Sequence, residues 1–157
     1  DSYLEAACAH AVSRIGEFNA QDIANTVYAL SILKFHHEGL LDVVGSVVPS
    51  RLEEFTGQGI ANVVYGMGLL EHRHAGLLGA VCDHLPGRMA ELSEQHVSNV
   101  VYALGLLNFA RSGGLLRTVV AHFPRLAAEL TAQGLCILVY GLALVHPRLG
   151  HLPHQNR

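Results

Sequence analysis

Three asparagines, Asn25, Asn62 and Asn99, stand at one place in a phrase that recurs along the chain. Asparagine is a poor mid-helix residue, because its amide competes for backbone hydrogen bonds. Its recurrence has two readings. One is a ladder of amide hydrogen bonds joining neighbouring repeats. The other is one nucleobase edge contacted per repeat, as modular RNA-binding repeats do. Three residues earlier on the same helical face stand Asp22, Gly59, His96 and Gly134. They differ between repeats, as a sequence-reading position should and as surface variation also would. Asn25, Asn62, Asn99, Asp22 and His96 are therefore the candidate base contacts.

Basic residues gather between repeats, at Lys34, His36, His37, His72, Arg73, His74, Arg111, His146 and Arg148. In a stack of repeats they fall along one edge. Lys34, His37, Arg73, His74, Arg111 and Arg148 form a candidate phosphate track whose RNA affinity would fall with salt; the plainer reading is a set of solvated loops. Arg14, Arg51 and Arg88 each precede a glutamate by three residues (Glu17, Glu54, Glu91), the spacing of local ion pairs on a helix.

Other reactive residues do not converge. His10, His84 and His122 share one repeat position, but neighbouring repeats lie on the order of 10 Å apart, whereas zinc ligands sit ~2 Å from the metal. Cys82, Asp83 and His84 are adjacent and point different ways on a helix, so they cannot line up as nucleophile, base and orienting group. Gly66 and Gly68 lack the strand and third glycine of a dinucleotide loop. The sequence therefore calls for no enzyme, metal or cofactor.

The elements that position these residues are helices. Gln21–Leu30 reappears as Gln58–Met67, Gln95–Leu104 and Gln133–Leu142, with Tyr28, Tyr65, Tyr102 and Tyr140 spaced by 37, 37 and 38 residues. A fixed period of this size marks a solenoid. The expected fold is all-α: an α-solenoid of about four helix-turn-helix repeats over residues 2–38, 39–75, 76–113 and 114–149, followed by a polar tail, 150–157. In each repeat, helix B starts at an N-cap, Asn19, Thr56, Ser93 or Thr131. An apolar residue before the cap and another four after it form a hydrophobic staple. Helix A precedes it, and Pro49, Pro86 and Pro124 should bend or split helix A, since an interior proline costs ~3 kcal/mol. Small residues recur in helix B at Ala29, Gly66, Ala103 and Gly141, and at Ser31, Gly68, Gly105 and Ala143. They suit close helix approach or, alternatively, a shallow groove for a flat base.

The 157 residues and 50% hydrophobic content suit one ordinary domain. Only 15% of residues are charged and the net charge is −3, which excludes a disordered chain and a generally basic nucleic-acid binder. It also suggests that part of the surface is covered by a partner. Three scattered cysteines suggest a reducing compartment. No apolar run is long enough for a membrane span. The chain opens at Asp1, so a processed product or a fragment is expected.

The phrase Q-x-[I/V]-[A/S]-N-x-V-Y-[A/G]-L at this period resembles the octotricopeptide and heptatricopeptide repeats of organellar RNA-binding proteins, often followed by a RAP domain. The resemblance covers about residues 2–146; the fourth repeat departs from it, with Ile137 in place of the asparagine. It implies RNA binding in a mitochondrion, or alternatively a chloroplast. The expectation is a subunit of a ribonucleoprotein such as a mitochondrial ribosome, with single-stranded or ribosomal RNA and neighbouring proteins of a large assembly as partners. The alternative is a protein–protein scaffold without direct RNA readout.

Overall fold

The computed structural model describes the backbone of residues 2–149 and the side chains of residues 2–145; the tail expected at 150–157 lies outside the described residues. All regular structure among the described residues is helical. The α-helices are α1 (Ser2–Ser13), α2 (Ala20–Leu33), α3 (Glu38–Val47), α4 (Gly57–Leu69), α5 (Ala75–His84), α6 (Glu94–Leu106), α7 (Gly113–Ala121), α8 (Phe123–Glu129) and α9 (Ala132–Leu149). Helices α2, α4, α6 and α9, the B helices of the sequence, pack side by side in chain order. Helices α1, α3, α5 and α7 form a second row in the same order.

All four B-helix caps form. The Asn19 side chain accepts from the Asp22 N–H at 2.8 Å, Thr56 Oγ1 from Gly59 at 3.0 Å, Ser93 Oγ from His96 at 3.3 Å and Thr131 Oγ1 from Gly134 at 3.0 Å. The prolines split helix A as expected. Pro49 and Pro86 open 3-10 segments, Val48–Glu54 and Leu85–Glu91, that continue from α3 and α5. Pro124 opens α8 after the chain breaks at His122. A proline is tolerated at such a start because the first N–H groups have no helical partner.

The first three B helices end alike. Lys34, Glu71 and Asn108 adopt left-handed backbone, with φ of 52°, 55° and 55°. The next residue's N–H then closes onto the helix: Phe35 onto the Leu30 carbonyl, His72 onto Met67 and Phe109 onto Leu104, each at 3.0 Å. Left-handed backbone costs a non-glycine residue about 1–2 kcal/mol. At Glu71 a carboxylate also faces the negative end of the helix dipole. Glu71→Gly is expected to raise stability by about 1 kcal/mol, read as a higher denaturant midpoint at unchanged slope.

The B row is tightly packed. A Cβ on Gly66 would lie 2.7 Å from Val27 Cγ1, one on Gly68 2.8 Å from Ala103 Cβ, and one on Gly141 2.8 Å from the Tyr102 backbone. The space beside these glycines is filled by a neighbouring B helix, the preceding one at Gly66 and Gly141 and the following one at Gly68, so the reading of an open groove for a base at this position is set aside. The expected ion pairs form on the A row, between Arg14 and Glu17, Arg51 and Glu54, and Arg88 and Glu91. They also do something the spacing did not reveal. Arg51 Nη1 donates to the Phe18 carbonyl at 3.0 Å and Arg88 Nη1 to the Phe55 carbonyl at 2.8 Å, one repeat back. Arg125 does the same to the Leu92 carbonyl at 3.1 Å. Each accepting carbonyl precedes a B-helix cap, so the arginines fasten one repeat to the start of the previous B helix.

Candidate nucleic-acid interface

Each B helix carries a polar stripe at i, i+4 and i+7: Gln21, Asn25, Tyr28; Gln58, Asn62, Tyr65; Gln95, Asn99, Tyr102; and Gln133, Ile137, Tyr140. This spacing puts the three residues on one helical face. Because the B helices lie side by side, the stripes align. A groove of about 490 Å³ runs across α4, α6 and α9, lined by Asn62, Asn99, Gln58, Gln95, Gln133 and Ile137 among others. A hollow of about 210 Å³, lined by Gln21, Asn25, Gln58 and Asn62, adjoins it. The two share Gln58 and Asn62 and form one polar trough. The tyrosines border it, with ring centroids 6.3 Å apart for Tyr65–Tyr102 and 5.9 Å for Tyr102–Tyr140. Burial, then the neighbouring Tyr102 and Tyr28, push the Tyr65 phenol up, which keeps it a hydrogen-bond donor.

The structure brings Asn25, Asn62 and Asn99 into this trough. None of the three amides has a hydrogen-bond partner among the described residues, so the inter-repeat ladder is not formed. Glu94 Oε2 and Ser98 Oγ, from the same wall, are also buried without partners. His96 lines the groove and Asp22 does not. Both have a structural task, closing capping boxes: Asp22 Oδ2 accepts from the Asn19 N–H at 3.0 Å, and His96 Nδ1 from the Ser93 N–H at 3.3 Å.

Burial pushes the His96 imidazole down, against a smaller upward pull from Glu94. The cap also needs Nδ1 unprotonated. The unfolded chain therefore binds the proton more readily, and stability rises with pH. His96's contribution is complete above the ordinary imidazole range and is lost as pH falls through it. His96→Gln keeps the acceptor and removes the titration. The variant is expected to show a shallower loss of unfolding free energy between about pH 7 and pH 5 in urea titrations.

The candidate phosphate edge is more occupied than its sequence suggested. His37 and His74 cap α3 and α5: their Nδ1 atoms accept from Leu40 N–H at 3.0 Å and Leu77 N–H at 3.1 Å. Arg111 pairs with Asp83 at 3.1 Å, and the Arg73 guanidinium lies 5.8 Å from the Phe109 ring centre. His72 bridges Asp42, at 3.0 Å, and His36, at 3.2 Å. Lys34 is exposed. The side chain of Arg148 lies outside the described residues. Its backbone belongs to α9, which runs to Leu149, so Arg148 and His146 sit on a helix and not in the expected loop. Among the described residues no lysine or arginine lines the trough.

Among the described residues no group of three or more His, Cys, Asp or Glu could hold a metal ion. Burial pushes the Cys82 thiol up to about 12, with Asp83 adding to it, which disfavours the thiolate a nucleophile needs. No helix among the described residues is long and apolar enough to cross a membrane. Sequence reasoning passed over the glutamines and tyrosines of the trough, although their i, i+4, i+7 spacing with the asparagines was the available signal. It also missed Arg125, which stands 37 residues after Arg88 whereas Pro124 stands 38 after Pro86. The segment at Arg125 is α-helical where its counterpart is 3-10, and the change of pitch restores the arginine's direction.

The row of asparagine amides borders a helical layer that one comparison places in a known family. The model of the RNA-editing substrate-binding complex 6 protein family, RESC6, matches residues 3–144. The chain belongs to the RESC6 family. This corrects the resemblance to octotricopeptide and heptatricopeptide repeats: the family is another one. The family description names an RNA-editing complex, so the ribosomal expectation, with ribosomal RNA as a partner, is set aside as well. No curated protein sequence matches the chain.

Proposed function

We propose that this chain is a non-catalytic, RNA-holding subunit of a mitochondrial RNA-editing substrate-binding complex. In this reading its four helical hairpins form a solenoid, and its B-helix trough receives single-stranded RNA. The observation that carries it is the row of Asn25, Asn62 and Asn99, three amides without protein partners, aligned beside a ladder of tyrosines. An amide presents a donor and an acceptor together, which suits a base edge. A tyrosine offers a face on which any base stacks. The family membership supports the complex, and with it the mitochondrion over the plastid. A trough lined by amides, tyrosines and Glu94, with no lysine or arginine among its described lining residues, implies base contacts with little phosphate attraction. The chain would then hold RNA weakly alone and firmly within an assembly.

Ultraviolet crosslinking in the native organelle, followed by peptide mapping, tests this. Crosslinks are expected at Tyr65 and Tyr102. Crosslinks confined to the Lys34–Arg73–Arg111 edge would move the RNA off the trough. Recovery of the complex with no RNA on this chain would leave it a scaffold between proteins.

A further inference from the structure

The trough differs from one repeat to the next. Three B helices begin with a small residue, Ala20, Gly57 or Ala132, where α6 begins with Glu94. One turn further in, the others carry Ala24, Ala61 and Cys136 where α6 carries Ser98. Four residues apart on a helix, Glu94 and Ser98 share a face, and both line the trough. Ser98 is 1% exposed. Its hydroxyl oxygen and Glu94 Oε2 are buried with no hydrogen-bond partner among the described residues. Buried polar atoms left unpaired cost free energy, and a group from outside the chain that meets them recovers it.

The next helix makes room for this carboxylate. A Cβ on Gly134 of α9 would run into Glu94 Oε2 and lie 3.3 Å from Glu94 Cδ. Ile137, which replaces the repeated asparagine, lines the same stretch and gives it an apolar wall. An ionised carboxylate only accepts hydrogen bonds. Single-stranded RNA offers the pairing edges of its bases. Of the four bases, guanine alone presents two adjacent donors there, N1–H and the exocyclic N2 amino group. Adenine and cytosine set an acceptor beside their amino group, and uracil flanks its N3–H with two carbonyl oxygens. An acceptor-only group thus favours guanine, and the Asn99 amide and Ser98 hydroxyl are donors for the guanine O6.

We propose that the stretch of trough between α6 and α9 is a guanine subsite, in which Glu94 accepts hydrogen bonds from guanine N1–H and N2–H. This rests on the reading that the trough holds single-stranded RNA, and it gives that RNA a sequence preference at one repeat. The asparagines and glutamines do not supply such a preference. An amide carries one donor and one acceptor side by side and can turn over to match either order on a base. Glu94 cannot turn into a donor, so it discriminates where the amides tolerate.

The test titrates the whole chain with short uridine-rich RNAs that carry one central guanine, inosine or adenine. Inosine is guanine without the N2 amino group. Binding is followed by nuclear magnetic resonance, which reads weak affinities, at the backbone amide of Gly134 and the side-chain amide of Asn99. The guanine RNA is expected to bind about 10-fold more tightly than the inosine RNA, with the adenine RNA weaker than both. In Glu94→Gln the guanine and inosine RNAs should bind alike. Glu94→Ala, which installs the residue that α2 and α9 carry at this place, should lose the preference in the same way; circular dichroism checks that both variants keep the fold. Equal binding of guanine and inosine by the wild type would overturn the subsite, leave the trough reading standing, and give Glu94 to a cationic side chain of a partner. A guanine preference that survives in both variants would overturn it as well. RNAs that bind without moving the Gly134 and Asn99 signals, or that do not bind at all, would overturn the trough reading and the subsite with it.

Discussion

Gly141→Ala is expected to destabilise the fold by about 2–3 kcal/mol, although alanine is the better helix former by about 1 kcal/mol. The sign is set by what stands opposite. A Cβ at Gly141 would lie 2.8 Å from both N and Cα of Tyr102 and 3.0 Å from the Val101 carbonyl carbon. Those are backbone atoms, which no rotamer change can move. Relief requires α9 to move off α6, which would loosen the burial of Val101, Leu104 and Val145. Gly87→Ala is the control, because a Cβ there meets nothing within 4 Å. It should be neutral or raise stability by up to about 1 kcal/mol through the unfolded chain. Urea unfolding of the two variants in parallel decides the matter. If Gly141→Ala were neutral, the B helices would be held less closely than their geometry implies.

The same glycines show which parts of the molecule the sequence exposes to a reader. Period, caps and prolines are local chemistry. Thr56 caps α4 whatever lies around it, and Pro49 interrupts α3 by its own ring, so the all-helical class and the split A helices were legible. Partnership across repeats was not. Arg51 sits three residues from Glu54, and nothing in that spacing tells that its other nitrogen reaches Phe18, 33 residues away. His37 and His74 looked like cations on an edge because composition carries no directions. Each is a helix cap whose ring nitrogen must be unprotonated to accept. The asparagines were found by recurrence, but their lack of partners became visible only once the B helices stood side by side. Lineage was misread for a related reason. A 37-residue period measures two helices and their loops, and unrelated hairpin families share that length.

Replacing Asn25, Asn62 and Asn99 together by alanine should weaken binding of single-stranded RNA by more than about 100-fold, taking it below detection for the isolated chain. A good base contact is worth about 1–3 kcal/mol, and the row of asparagines supplies three, since Ile137 takes the fourth place. Ordering a flexible strand and losing rigid-body freedom offset several kcal/mol, so the wild-type complex has little to spare. The substitution should not harm the fold: alanine is the better mid-helix residue, and the three amides make no hydrogen bond within the described protein. Melting temperature then separates weakened binding from damaged structure. Tyr65→Leu should cost a further factor by removing a stacking face, about 1–3 kcal/mol per base. The contrasting triple, Lys34, Arg73 and Arg111 to alanine, should have a smaller effect and flatten the salt dependence, by roughly 0.7 in slope for each phosphate no longer neutralised. Titration of a labelled random-sequence RNA at two or more salt concentrations reads both. If the asparagine triple binds as the wild type does while the basic triple abolishes binding, RNA follows the loop edge and the trough serves another ligand. If neither triple changes a measurable affinity, both surfaces lose their claim to RNA.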